Sequence, residues 1–315
     1  MALHPQCKTF LDMLAASGGK PLEELPVEDA RKVPGLLIEL GGPAEQLAQV
    51  DDRTIPGPAR PIPVRVYRPT LGDALPALVF FHGGGFVICD LESHDRQCRA
   101  LAKASGCTVI SVDYRLAPEH KFPAATEDAY AATCYVAEHA GEFGIDPNRI
   151  AVGGDSAGGN LATVVALMAR DRRGPSLRFQ LMVYPVVDFE DESPSMQEYG
   201  KNHFLDRSTM AWFGEQYFSN AEERRQPYAS PLNADLRGLP PAMILTCECD
   251  PLRDQGESYA RKLVNAGVSV ELKQYEGMIH VFFNLGGIVD TARTAIADAG
   301  SALRQALRAG APAGV

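Results

Sequence analysis

The sequence predicts an α/β protein, a mostly parallel central sheet flanked by helices and covered on one edge by a helical cap. Three observations predict it. Apolar runs of strand length alternate with helix-forming segments from residue 64 onward. Several of those runs carry no charge, as strands buried on both faces require. A length of 315 residues with 45% hydrophobic content is enough for one large domain and a small appendage.

Along the chain, Leu3, Cys7, Phe10, Leu11 and Leu14 recur at helical spacing, so residues 1–55 read as the N-terminal helical part of a cap. A proline-rich connector over 56–63 leads into a strand at 64–67. Further strands are expected at 77–82, 107–114, 149–154, 179–187, 242–249 and 268–275. A helix over 123–139 opens on a proline, which is tolerated in a first turn because its missing N–H has no partner there. Residues 188–236 interrupt the alternation. Polar loops there surround Met210, Trp212, Phe213, Tyr217 and Phe218, which suits a cap insertion over the carboxyl ends of the strands, where ligands bind in open α/β sheets. The catalytic domain is then 56–187 together with 237–315.

The formal charge of −10 argues against nucleic acid as a partner, and no polybasic stretch is present to dock on an anionic membrane. Seven cysteines include no C-x-x-C pair, and the alternation of a strand puts Cys247 and Cys249 on one face, so neither a disulfide framework nor a zinc site is indicated. Residues 1–14 lack the basic start and apolar core of a signal peptide, and no apolar run approaches membrane-spanning length. The expectation is a soluble cytoplasmic protein acting on a small molecule, without metal or cofactor.

The chemistry is carried by four segments. Gly154-Asp155-Ser156-Ala157-Gly158 lies between the strand at 149–154 and a helix-forming run over 160–170, the context of a nucleophile elbow that holds a serine Oγ clear of the backbone. His82-Gly83-Gly84-Gly85-Phe86 closes the apolar run at 77–81 and exposes backbone N–H groups where an oxyanion would form. Gly84, Gly85 and Ala157 are the candidate donors, with Gly83 a weaker one. On such a sheet an acid and then a histidine follow the serine in chain order. His203 and His280 alone among the seven histidines come after Ser156, and His203 precedes the last two strand-like runs, so His280 is the candidate base. Asp250 leaves the strand at 242–249 and is the candidate acid, with Asp254 second to it. Phe86, Tyr184, Leu205 and Trp212 are candidate substrate contacts.

With these segments, together with Asp113-Tyr114-Arg115-Leu116-Ala117-Pro118-Glu119 and Gly277-Met278-Ile279-His280, the chain resembles the bacterial hormone-sensitive-lipase family of esterases, within the α/β-hydrolase fold. The resemblance covers most of the length. It implies a serine carboxylesterase for short- to medium-chain acyl esters, working through a Ser156–His280–Asp250 triad and an acyl-enzyme. Two departures stand out: Val281 follows the histidine, and Cys89 follows the glycine loop, where the family often has glycine. The branched side chain of Val281 is expected to restrict the His280 loop and narrow the nearby pocket, so the departures bear on substrate preference. Arg115 and Glu119 are expected to order the loop beneath the site by charge-assisted bonds.

Two other readings remain open. One is a noncatalytic receptor on the same fold, as in the plant gibberellin receptors that resemble this family, although those lack the histidine. The other is a hydrolase of amides, carbamates, lactones or thioesters with the same triad. The run over 268–275 could form an edge strand that pairs two copies into a homodimer, or an edge blunted by Glu271 and Lys273.

Overall fold

The computed structural model describes residues 3–308, with residue 73 and the side chains of residues 36 and 37 excepted. Eight strands form one sheet: β1 (Gln49–Ile55), β2 (Ile62–Arg68), β3 (Leu75–Phe81), β4 (Thr108–Val112), β5 (Ile145–Asp155), β6 (Phe179–Val183), β7 (Ala242–Cys249) and β8 (Val270–Ile279), in spatial order β1-β2-β4-β3-β5-β6-β7-β8. All pairings from β4 to β8 are parallel, while β2 is antiparallel to both β1 and β4. Residues 49–55 were expected among the N-terminal helices. They form the edge strand instead, so the proline-rich connector is the turn of a hairpin.

The helices are α1 (Pro5–Ala16), α2 (Val27–Ala30), α3 (Val33–Leu37), α4 (Asp95–Ser105), α5 (Ala124–Glu138), α6 (Ala157–Asp171), α7 (Pro194–Tyr199), α8 (Arg207–Tyr217), α9 (Arg253–Asn265) and α10 (Asp290–Ala306). Strand alternation divides the core into two layers. Ala77, Val79 and Phe81 of β3 pack with apolar residues of α5, α6 and α9. Leu78 and Phe80 face the other way, towards α1, α4 and α10. Every residue of β4, β6 and β7 is buried, which explains their charge-poor sequences, and each such aliphatic side chain contributes about 1.5–3 kcal/mol by leaving water. Cys247 and Cys249 are both buried in the second layer as free thiols.

The parallel strands β3, β5, β6 and β7 bring their carboxyl ends to one edge of the sheet, where the glycine loop, Ser156 and Asp250 follow directly. Helices α7 and α8 occupy the insertion between β6 and β7. The N-terminal segment reaches the same edge by side chains: Thr209 donates to Glu23 at 2.8 Å, and Arg31 donates to the carbonyls of Val87 and Ala117, each at 2.9 Å. Arg31 also pairs with Glu119, while Arg115 forks onto the buried Asp128. Arg115 and Glu119 thus tie the 113–119 segment to α5 and to the residue that ends α2.

Candidate active site

Ser156 stands between the end of β5 and the first residue of α6, with φ +55° and ψ −117°. Holding a residue with a Cβ there costs on the order of 1–3 kcal/mol, and such strain collects at functional sites. The turn closes because position 158 has no side chain: a Cβ on Gly158 would overlap the Phe81 carbonyl. The Ser156 hydroxyl donates to His280 Nε2 at 3.0 Å, and His280 Nδ1–H donates to Asp250 Oδ2 at 2.8 Å. This proton assignment follows from the carboxylate being acceptor-only. The second oxygen of Asp250 accepts the Leu252 N–H at 2.9 Å, so a fully buried carboxylate has both oxygens engaged.

Asp254, the second candidate acid, is occupied elsewhere: it accepts the Ser195 N–H at 2.9 Å and pairs with Arg253. His203 bonds the nearby Lys201 carbonyl.

The glycine loop turns sharply, with φ +103° at Gly84 and +60° at Gly85, and Gly84 O accepts the N–H groups of Val87 and Ile88 at 3.0 Å each. Among the described residues nothing accepts from the N–H of Gly84 or Gly85. Ala157 opens α6, where the first N–H groups have no partner within the helix and the dipole favours an anion. Gly83 is excluded as a donor, because its N–H is spent on Asp155 Oδ1 at 3.0 Å. Gly85, Ser156 and Ala157 line one cavity of about 200 Å³, walled also by Phe86, Met196, Leu205, Met210 and Phe213. Among the described residues no three His, Cys, Asp or Glu side chains are placed to hold a metal ion, and no helix is long and apolar enough to cross a membrane.

This sheet order, elbow and glycine loop agree with comparison against known proteins. A model of the alpha/beta hydrolase fold family matches residues 78–284, well over half of the chain. The chain belongs to that family, in its hormone-sensitive-lipase-like branch. An ethyl acetate hydrolase of Pseudomonas putida is 39% identical over 98% of this chain and 100% of its own length. The carboxylic ester hydrolase LipN of Mycobacterium tuberculosis is 48% identical over 75% of this chain, which spans 65% of that relative. The hyperthermophilic esterase of the archaeon Pyrobaculum calidifontis superposes with a TM-score of 0.93 at 45% identity, covering 97% of this chain and 99% of that one.

Two substrate-contact expectations for this α/β hydrolase need correction. Phe86 and Leu205 line the cavity, but Tyr184 and Trp212 do not. Tyr184, with φ +36°, is buried with its ring 4.5 Å from that of His280, where it packs against the imidazole. In α8 the cavity face is Arg207, Met210, Ala211, Phe213 and Gly214, and Trp212 turns out of it to pack on the core rim. Phe213 takes the place expected of Trp212; a Cβ on Gly85 would run into its ring. Val281 lies outside the cavity wall and adopts φ +74°, as Cys89 adopts +72°. At both departures a side chain therefore occupies backbone geometry that suits glycine, and Val281 strains the turn after His280 without narrowing the pocket.

Behind the loop, His82 is fully buried and stacks on Tyr114 with centroids 4.3 Å apart, its Nδ1–H donating to Gly83 O at 2.7 Å. Burial, reinforced by the charge of His94, pushes the His82 imidazole down to about 4 from an ordinary 6.5. The folded state therefore resists a proton that the unfolded chain accepts. The associated stability is present above pH 6.5 and is lost as pH falls towards 4, roughly 2 kcal/mol of it by pH 5. Urea midpoints at pH 7 and pH 5 are expected to differ accordingly, and His82→Asn to flatten that difference; an unchanged slope in the variant would remove His82 as the cause.

Proposed function

We propose that this chain is a serine carboxylesterase that hydrolyses short- to medium-chain acyl esters through an acyl-enzyme. The observation that carries the reading is the unbroken hydrogen-bond path from Asp250 through His280 to the Ser156 hydroxyl, which opens on a cavity lined by apolar side chains and by charged ones such as Asp188, Glu190 and Arg207. Carboxylic ester hydrolysis is also the activity that names its relatives. Small-molecule esters are thus its substrates.

In the first half-reaction Ser156 Oγ attacks the ester carbonyl and His280 takes its proton. Asp250 orients the ring and stabilises the imidazolium. The carbonyl oxygen becomes an anion, which the N–H groups of Gly84, Gly85 and Ala157 receive; one such donor contributes on the order of 3 kcal/mol to the barrier. His280 then protonates the departing alkoxide. In the second half-reaction water, deprotonated by His280, hydrolyses the acyl-serine.

Residues 188–236 act as the cap in this reading, since Met196, Leu205, Met210 and Phe213 close the cavity from above the nucleophile. The N-terminal helices brace that cap through Glu23, and no described residue before Gly85 lines the cavity. The size of the cavity supports the short-chain preference, because sites for drug-sized ligands run from about 300 to 1,000 Å³. Across a series of p-nitrophenyl esters, kcat/KM is expected to peak near butyrate or hexanoate and to fall steeply by laurate. Rates still rising at palmitate would overturn the chain-length reading.

A further inference from the structure

A second histidine and a second aspartate, outside the triad, meet behind the glycine loop. Asp155 Oδ1 and His94 Nε2 share the Gly83 N–H, at 3.0 and 3.3 Å, and His94 Nε2 lies 3.1 Å from that oxygen of Asp155 and 3.4 Å from the other. Both side chains are buried, 2% exposed for His94 and 3% for Asp155. His94 stands at the N-cap of α4, with its Nδ1 3.1 Å from Ser93 Oγ. Ser93 is itself locked to Asp90: the Asp90 N–H donates to Ser93 Oγ at 2.9 Å, and the Ser93 N–H donates to Asp90 Oδ1 at 2.8 Å. The imidazole is thus held from both of its nitrogens.

What this arrangement controls is one peptide plane. The Gly83 carbonyl and the Gly84 N–H belong to the same planar trans unit and point in opposite directions. His82 Nδ1–H holds the Gly83 carbonyl at 2.7 Å, and Asp155 holds the Gly83 N–H one bond earlier. With both fixed, the Gly84 N–H has one direction left. Asp155 also adjoins Ser156 in the chain, so it couples the donor loop to the nucleophile elbow directly. A buried carboxylate without a partner would be neutralised and would become a weaker acceptor. Burial pushes the Asp155 carboxyl up, but the imidazoles around it, His94 foremost and then His82 and His280, together more than offset it, leaving the group below its ordinary range.

We propose that His94 is a positioning residue of the esterase, which keeps Asp155 ionised against Gly83 and thereby aims the Gly84 N–H at the developing oxyanion. This rests on the esterase reading above. Because such a donor acts in the transition state more than on bound substrate, misalignment should lower kcat and leave KM in place.

The test is p-nitrophenyl butyrate kinetics with wild type, His94→Leu and His94→Gln, alongside the rate at which diethyl p-nitrophenyl phosphate inactivates each. Loss of one donor costs about 100- to 1,000-fold, so misaiming it by His94→Leu is expected to lower kcat by about 10- to 100-fold with KM within about twofold. Organophosphate inactivation, in which the phosphoryl oxygen gains negative charge at the same donors in a five-coordinate transition state, should slow in proportion. His94→Gln, whose amide can still donate to Asp155, should recover most of the rate. Should His94→Leu fail to fold, Asp155→Asn is expected to show the same loss confined to kcat. The proposal is overturned if a folded His94→Leu keeps wild-type kcat, if KM alone changes, or if both His94 variants lose activity only in step with their folded fraction by near-ultraviolet circular dichroism. An inactive wild type would instead overturn the esterase reading itself.

Discussion

Ser156→Ala is expected to lower kcat for p-nitrophenyl butyrate by about a millionfold, the loss seen when the nucleophile of a serine hydrolase is removed. The geometry leaves no substitute. The hydroxyl is the group hydrogen-bonded to His280 Nε2, at 3.0 Å, and it sits where α6 begins and the cavity ends. What survives should be the small background rate supplied by the oxyanion donors and by binding, because Gly84, Gly85 and Ala157 are untouched. The variant should fold, since Ser156 Oγ makes its side-chain hydrogen bond to His280 and to no core group. Steady-state assays with matched circular dichroism spectra check this. A folded variant within tenfold of wild type would remove Ser156 from the chemistry.

Asp250→Asn is expected to cost about 10,000-fold in kcat, with little change in KM. The substitution preserves shape and burial but reverses the hydrogen-bond logic. Asp250 Oδ2 can accept from His280 Nδ1–H, whereas an amide NH2 in that place must donate, which forces the ring into the tautomer with its proton on Nε2. That proton then faces the Ser156 hydroxyl, so the ring can no longer act as a base. The other oxygen should go on accepting from Leu252 N–H, and the loop should stay in place. Asp254→Asn is the natural control. Its carboxylate serves Ser195 and Arg253, so it should affect stability more than turnover. Equal losses of activity in the two variants would contradict the assignment of Asp250.

How much of this was legible in the sequence follows from where each element is buried. The strands β3, β4, β6 and β7, and the second half of β5, could be read because they are covered on both faces and so carry charge-poor runs. β1 could not be read this way. It is an edge strand with the polar sequence Gln-Val-Asp-Asp-Arg-Thr-Ile, half exposed along most of its length, and its partner β2 supplies the pairing that no local pattern announces. The three residues joined by hydrogen bonds, Ser156, His280 and Asp250, were legible as candidates because each leaves a strand end within a short motif.

The cavity wall was harder. Trp212 and Phe213 are adjacent in the chain, and which of them faces Ser156 depends on how α8 is rotated by its neighbours, which only tertiary packing decides. Tyr184 was expected to contact substrate, yet it lies just past β6, with φ +36°, and its ring packs against His280 instead. His94 and Asp155 are 61 positions apart, and no spacing rule links a helix N-cap to the second residue of an elbow. The one available signal was that Asp155 is acidic at a position the G-x-S-x-G pattern leaves free.

The central claim is that Ser156 carries the acyl group between the two half-reactions. It is tested most directly by mixing enzyme with excess p-nitrophenyl butyrate, quenching in acid within the first turnover, and mapping the protein by mass spectrometry. One butyryl group is expected on the peptide containing Ser156, in wild type and not in Ser156→Ala. Steady turnover with no acyl adduct, or an adduct on another residue, would contradict it.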